Sequence, residues 1–192
     1  MSTIPNEEEC IRILLEEGVH DRVIRHVCVV KAVAEVIGKR CGADLDLVRA
    51  GSLLHDLGRS RTHDIRHGVE GALLARGRGL SEPLALIIQK HIGAGITADS
   101  ARALGLPEMD YVPTTLEERI VCHADNLVGD TEVLTSQESY VNFVRKGLEE
   151  QGRNMLSMHS ELSAACGMDI DDIVRLVDLS DNAPILGSSA KA

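Results

Sequence analysis

Ala50-Gly51-Ser52-Leu53-Leu54-His55-Asp56-Leu57-Gly58 reads as a helical apolar stretch that carries two side chains foreign to a hydrophobic core. Leu47, Ala50, Gly51, Leu54 and Leu57 recur at the spacing of one helix face, and Gly58 stops the helix. His55 and Asp56 lie among them. Neighbours on a helix point about 100° apart. Both can therefore reach one point only where a helix meets it end-on or loosens, and Gly58 permits the loosening.

Working outward, the same conflict recurs. His26 lies on the stripe Val23, Val27, Val30, Val33, Ala34 and Ile37. His91 continues Leu84, Ile87 and Ile88, and Asp125 shares a face with Val121, Ala124 and Val128. No Lys or Arg stands three or four residues from Asp125 to pair with it. His67 opens a further helical stretch. A polar or charged side chain on a core-facing stripe is costly unless something compensates it. A single one is usually a hydrogen-bonded core residue, but six donors in one small chain point to a metal ion.

The rest of the chain is also helical. Asn6 and Glu9 form a capping box ahead of Ile11, Leu14 and Leu15. Asp21 caps the His26 helix, and Gly42 ends it. Helices are expected over residues 67–76, from Pro83 to His91, over 99–104, over 116–127 with Thr115 as cap, over 140–150 with Ser136 as cap, over 155–166 and over 169–177. Strand-like alternation is absent. The fold class is all-α, a single-domain helical bundle.

Composition limits the functions. At 192 residues, the chain is long enough for one real core. It has no Trp and one Phe, so that core is aliphatic, and rings for stacking a nucleic acid are scarce. Lys plus Arg minus Asp plus Glu gives 20 − 30 = −10, which argues against nonspecific DNA or RNA binding. A small phosphorylated partner stays open, because bound cations reverse the local sign. The cysteines at 10, 28, 41, 122 and 166 are odd in number and widely spaced, as in a reduced intracellular chain with small buried hydrophobes. With no basic-plus-apolar leader and no membrane span, the expectation is a soluble cytoplasmic protein with no membrane partner.

The order H…HD…D, spread over several helices, resembles that of the HD-domain phosphohydrolase superfamily. Residues 50–58 are similar to that family's AGLLHDIG pattern, and the resemblance runs from about Asp21 to Asp130. It implies that residues 1–20 form an N-terminal helix, 21–130 the HD core, 131–180 C-terminal helices packed on it and 181–192 a flexible tail. It further implies that His26, His55, Asp56 and Asp125 hold one ion. His67-Gly68-x-x-Gly71-Ala72 and His91 look like the added histidines of an HDIG-type subset, which includes the small stand-alone YqeK-like hydrolases. Those two would hold a second ion, with Asp56 bridging; His63, four residues before His67, could substitute for it. There is no GYP sequence, which argues against the cyclic-di-GMP phosphodiesterases.

The activity implied is hydrolysis of a phosphate ester or anhydride of a small nucleotide or related metabolite through a metal-activated water. A metal-binding nucleotide-sensing module with little turnover is the alternative. Imidazole and carboxylate without thiolate suit Fe or Mn, with Co, Ni or Mg as further candidates. Arg59, Arg61 and Arg66 follow the HD pair, and Lys90 adjoins His91; all four are candidate phosphate clamps, Arg59 first. Asp56 and Arg59 are the candidate catalytic pair. His123 is expected at the surface or behind the ligands, and His20 and His159 near helix starts or on solvated faces. Residues 136–177 match nothing in this family core and are expected to cover the site or to form a homodimer interface.

Overall fold

The computed structural model describes residues 4–180. The expected tail over 181–192 lies outside the described residues. The helices are α1 (Glu7–Glu16), α2 (Asp21–Cys41), α3 (Leu45–Leu54), α4 (His67–Gly77), α5 (Glu82–Lys90), α6 (Ala98–Ala103), α7 (Leu116–Asn126), α8 (Ser136–Arg145), α9 (Glu149–Cys166) and α10 (Ile170–Val174). Short 3-10 turns follow α3 (Leu57–Ser60) and α5 (Ile92–Ala94).

Helix α2 is the axis of the molecule. Its Ile24, Val27 and Cys28 join α1, α3, α4 and α5 in one apolar cluster. Its Val29, Val30, Val33, Ala34 and Ile37 join α7, α9 and α10 in a second. Each fully buried aliphatic side chain here contributes about 1.5–3 kcal/mol. Helix α2 passes from the first cluster to the second between Cys28 and Val29, and His26 sits just before that change. A satellite cluster of Val69, Ile92, Ile96, Ala101, Leu106 and Tyr111 closes the α4–α6 end.

Caps set the helix boundaries. Asn6 with Glu9 and Thr115 with Glu118 form reciprocal capping boxes. Gly42 ends α2 in the left-handed conformation, φ 73°. Three local readings need correction. His20, not Asp21, caps α2, its Nδ1 accepting from the Arg22 amide. Thr135, not Ser136, caps α8, again with a capping box. Gly147, φ 73°, then breaks the chain, so α9 begins at Glu149 and runs continuously through Met155. One non-helical feature was not expected: Val128–Gly129 and Glu132–Val133 pair antiparallel around Asp130 and Thr131.

The reading of five reduced cysteines also fails. Cys41 and Cys166 form a disulfide with Cα atoms 4.5 Å apart. They stand 125 residues apart in sequence, so only the packing of α9 against α2 brings the two helix ends together. Cys10, Cys28 and Cys122 are buried and lie outside this disulfide. No helix among the described residues is long and apolar enough to cross a membrane.

Candidate metal centre

Four helices and one helix break deliver the donors. Helix α3 ends at Leu54; His55 keeps helical angles and Asp56 departs, with φ −94° and ψ 16°. The chain thus loosens at the HD pair, and both side chains turn into one space. Gly58 makes the approach of the next element feasible. A Cβ there would overlap the His67 backbone carbonyl, and it would stand 2.6 Å from the Gly71 nitrogen. Gly71 closes the contact from the other side, since its Cβ would lie 2.8 Å from Ile88 Cγ2. This glycine seam lets the start of α4 touch the turn after α3, which sets His67 beside Asp56.

All six predicted donors come together. His26 Nε2 lies 2.9 Å from Asp125 Oδ1, and His55 Nε2 lies 3.4 Å from the same oxygen. Asp56 presents Oδ2 to His55 Nε2 at 3.8 Å. Its Oδ1 faces His67 Nε2 at 3.3 Å and His91 Nε2 at 3.7 Å. Asp56 therefore spans two groups of donors, one around His55 and Asp125, the other around His67 and His91. His63 is exposed; its backbone carbonyl accepts from Arg59, so it does not replace His67.

The ring orientations test whether a cation fits. Every imidazole donates Nδ1–H to a backbone carbonyl: His26 to Asp130 at 2.8 Å, His55 to Ser52, His67 to Asp64 and His91 to Ile88, each at 2.7 Å. A carbonyl can only accept, so each neutral ring is left with an Nε2 lone pair turned inward. His55 Nε2 is fully buried with no hydrogen-bond partner. The His67 and His91 Nε2 atoms are 3.0 Å apart, two lone pairs that repel unless a cation lies against both. Backbone-anchored imidazoles around shared carboxylates are the arrangement by which proteins orient metal ligands. The residues fit a divalent ion: His26, His55 and Asp125 could hold one, and so could His55, Asp56 and His91, with His67 Nε2 3.3 Å from Asp56 Oδ1.

The electrostatics agree. Burial alone would depress the His55 imidazole, but Asp125 and Asp56 overcome it and raise its pKa to about 9. Burial opposes ionisation of both carboxylates, yet His55, with His91 at Asp56 and His26 at Asp125, holds them well below the usual carboxylate range. His67 is pushed down to about 4 by burial and by His91, which leaves its lone pair available. The cluster demands positive charge.

The other candidates divide. Arg59 stays at the centre, its Nε 3.1 Å from Asp56 Oδ1 and an Nη 2.7 Å from the His63 carbonyl. Arg61 instead pairs with Glu17 at 3.3 Å, and Arg66 with Glu70 at 3.6 Å. Lys90 points away from His91, because adjacent helical residues diverge; it satisfies the buried Glu118 at 2.9 Å. These three are held by structural carboxylates rather than aimed at the site. Two histidines also need correction. His159 is buried rather than on a solvated face, and His123 is buried rather than at the surface; His123 Nε2 meets His159 Nδ1 at 3.1 Å because α9 covers that side of α7.

A cavity of about 290 Å³ opens on the donors. It is lined by His26, Asp56, Arg59, Asp125, Asn126, Val128, Gly129, Leu134, Ser139, Asn142, Phe143 and Lys146. The last four belong to α8 and its cap, and sequence reasoning assigned them no role. Their signal was present as an i, i+3, i+4, i+7 stripe, but a mixed Ser-Asn-Phe-Lys stripe points to no chemistry until something faces it.

Known proteins place the chain. A tRNA (cytidine(56)-2'-O)-methyltransferase of Thermoplasma volcanium is 44% identical over 170 residues, 88% of this chain and 50% of that protein. The chain thus spans about half the length of this relative. An uncharacterized protein of Methanocaldococcus jannaschii is 49% identical over 124 residues, 62% of this chain and 73% of its own. Among solved structures, the HD domain of the L. monocytogenes phosphodiesterase PgpH shares the fold, with a TM-score of 0.51 at 18% identity over 82% of this chain and 97% of that one. The sequence profile of the HD domain matches residues 23–130, from just before His26 to just after Asp125 and more than half of the 192 residues, and this chain belongs to the HD-domain family.

Proposed function

We propose that the protein is a metal-dependent phosphohydrolase that cleaves a phosphate ester or anhydride of a small nucleotide or related metabolite. The observation that carries the reading is the common orientation of four imidazoles, each anchored through Nδ1 to a backbone carbonyl with Nε2 turned toward two carboxylates. When bound there, one or two divalent ions, with Fe or Mn favoured, supply Lewis acidity for water attack on phosphorus and for holding phosphoryl oxygens. In this reading His26, His55, Asp56 and Asp125 hold one ion. His67, His91 and Asp56 hold the other.

The chain's own residues supply the rest. The Arg59 guanidinium, beside Asp56 at the cavity, has donors for a non-bridging phosphate oxygen. Low polarity around the donors strengthens each such contact and is set by Leu54, Leu57 and Ile88, all buried. We assign the methyl transfer in the Thermoplasma protein's name to the half of that relative beyond this match. Methylating a ribose hydroxyl does not call for two carboxylates set among four imidazoles.

Metal analysis with hydrolysis of a generic aryl phosphate, a nucleotide panel and a terminally phosphorylated oligonucleotide tests the proposal. We expect two equivalents of metal and turnover of at least one mononucleotide. Asp56→Ala should lose most bound metal and activity, and His91→Ala about one equivalent. If both variants keep full metal, the centre is misassigned. One observation favours the sensing alternative: among the residues lining the cavity, no carboxylic acid stands free of the donor set to protonate a leaving group. Stoichiometric nucleotide binding without turnover would select that reading.

A further inference from the structure

Ser139, Asn142, Phe143 and Lys146 occupy successive i, i+3, i+4 and i+7 positions, so α8 turns one continuous stripe toward the cavity that holds His26, Asp56 and Asp125. The stripe lies outside residues 23–130 that define the family match. Its chemistry is specific. The Ser139 hydroxyl is buried, 2% exposed, and has no hydrogen-bond partner. Such a group is costly unless a ligand satisfies it. Lys31, Lys39 and Lys90 each pair with a glutamate, whereas Lys146 has no ion pair among the described residues, in a chain of net charge −10.

The aromatic ring is as telling. The chain has one Phe and two Tyr. Tyr111 is fully buried in the satellite cluster, and Tyr140 lies over Gly152. Phe143 alone lines the cavity, with its Cβ braced against the same glycine. The α8–α9 hairpin is therefore held close at Gly152, where any larger residue would press on the Tyr140 ring and the Phe143 Cβ. A half-buried ring, an amide, an orphan hydroxyl and a free cation face two carboxylates across about 290 Å³. That volume lies at the small end of ligand sites, roughly 300–1,000 Å³.

We infer that the α8 stripe is a nucleoside-recognition wall, selecting a single nucleoside phosphate over a phosphate ester that lacks a base. Phe143 stacks on the base, Asn142 and Ser139 hydrogen-bond to its edge or to the sugar, and Lys146 draws the anionic substrate to the rim. The inference deepens the phosphohydrolase reading and rests on it for the location of the phosphate.

Calorimetry on the full chain loaded with Mn²⁺ tests it, titrating the four nucleoside 5′-monophosphates and glycerol phosphate. We expect at least one nucleotide to bind ten times more tightly than glycerol phosphate. Phe143→Ala should reduce that ratio about tenfold, the scale of one lost base stack, while Phe143→Tyr keeps it. Lys146→Ala should weaken both ligands alike. If Phe143→Ala fails to fold, Asn142→Ala reads the same ratio through preference among the four bases. Equal binding of nucleotide and glycerol phosphate, or a ratio untouched by Phe143→Ala and Asn142→Ala, overturns the wall. Hydrolysis of the same panel separates the two ideas. A binding preference without turnover sinks the hydrolase and keeps the wall; turnover without preference does the reverse.

Discussion

Arg59 and Arg61 are two residues apart, both cationic, and opposite in use. Arg59 leans on Asp56 and the His63 carbonyl at the cavity, while Arg61 reaches Glu17 on the outside. Arg59→Ala should lower kcat about 10²- to 10³-fold, the usual effect of deleting one transition-state donor, with metal content intact. Arg61→Ala should change kcat less than about twofold, because an exposed ion pair contributes little. Steady-state kinetics with metal analysis distinguishes them, and equal effects would move the clamp elsewhere. What made His26, His55, His91 and Asp125 legible in the sequence is the cost of polar groups on apolar stripes. Arg59 and Arg61 carry no such signal, since a loop cation is at home in water either way. The same blindness hid His123 and His159, whose burial depends on α9 packing over α7.

At the scale of elements, the site depends on a turn and a seam. The loosening after Leu54 could be anticipated from Gly58, but its purpose could not. Gly58 is needed because α4 begins against it, and that contact is formed in space rather than along the chain. Gly58→Ala should destabilise the fold by about 1–3 kcal/mol or more through backbone overpacking. The second metal should also bind more weakly than the first, since His67 would be pushed from Asp56. Denaturant unfolding and metal titration measure the two effects, and a variant as stable as the parent would sink the seam. Helices were readable where apolar spacing and caps agree, as in α1 and α7. The break between α8 and α9 was misjudged because its glycine lies among polar residues with weak periodicity.

Over the whole molecule, two ties hold the outer helices to α2. Glu35 binds Arg49 at 2.9 Å and Lys39 at 2.7 Å. Its pKa is lowered from an ordinary 4.5 to about 2, first by the Arg49 hydrogen bond, against some burial, then by Lys39. The unfolded chain thus takes up this proton before the folded one does. The stabilisation is complete above about pH 4.5 and disappears as pH falls toward 2. Glu35→Gln should flatten the loss of thermal stability across that window; an unchanged acid limb would refute the linkage. The second tie is the Cys41–Cys166 disulfide. Thiol titration in denaturant should find three reactive groups before reduction and five after, and reduction should cost about 2–4 kcal/mol. Five thiols at the outset would exclude the bond. No local pattern announces this pairing, which only the meeting of two helix ends creates.

The Val128–Val133 hairpin has a consequence of its own. Asp130, in the left-handed conformation at φ 58°, gives its carbonyl to His26 and its carboxylate to Arg22, and the strand beyond it leads directly into α8. The anchor of His26 and the inferred recognition wall on α8 therefore lie on opposite sides of one two-residue bend. On the inference drawn for α8, exchanging Ser136–Arg145 should change ligand preference while all six donors, which lie outside that segment, are kept.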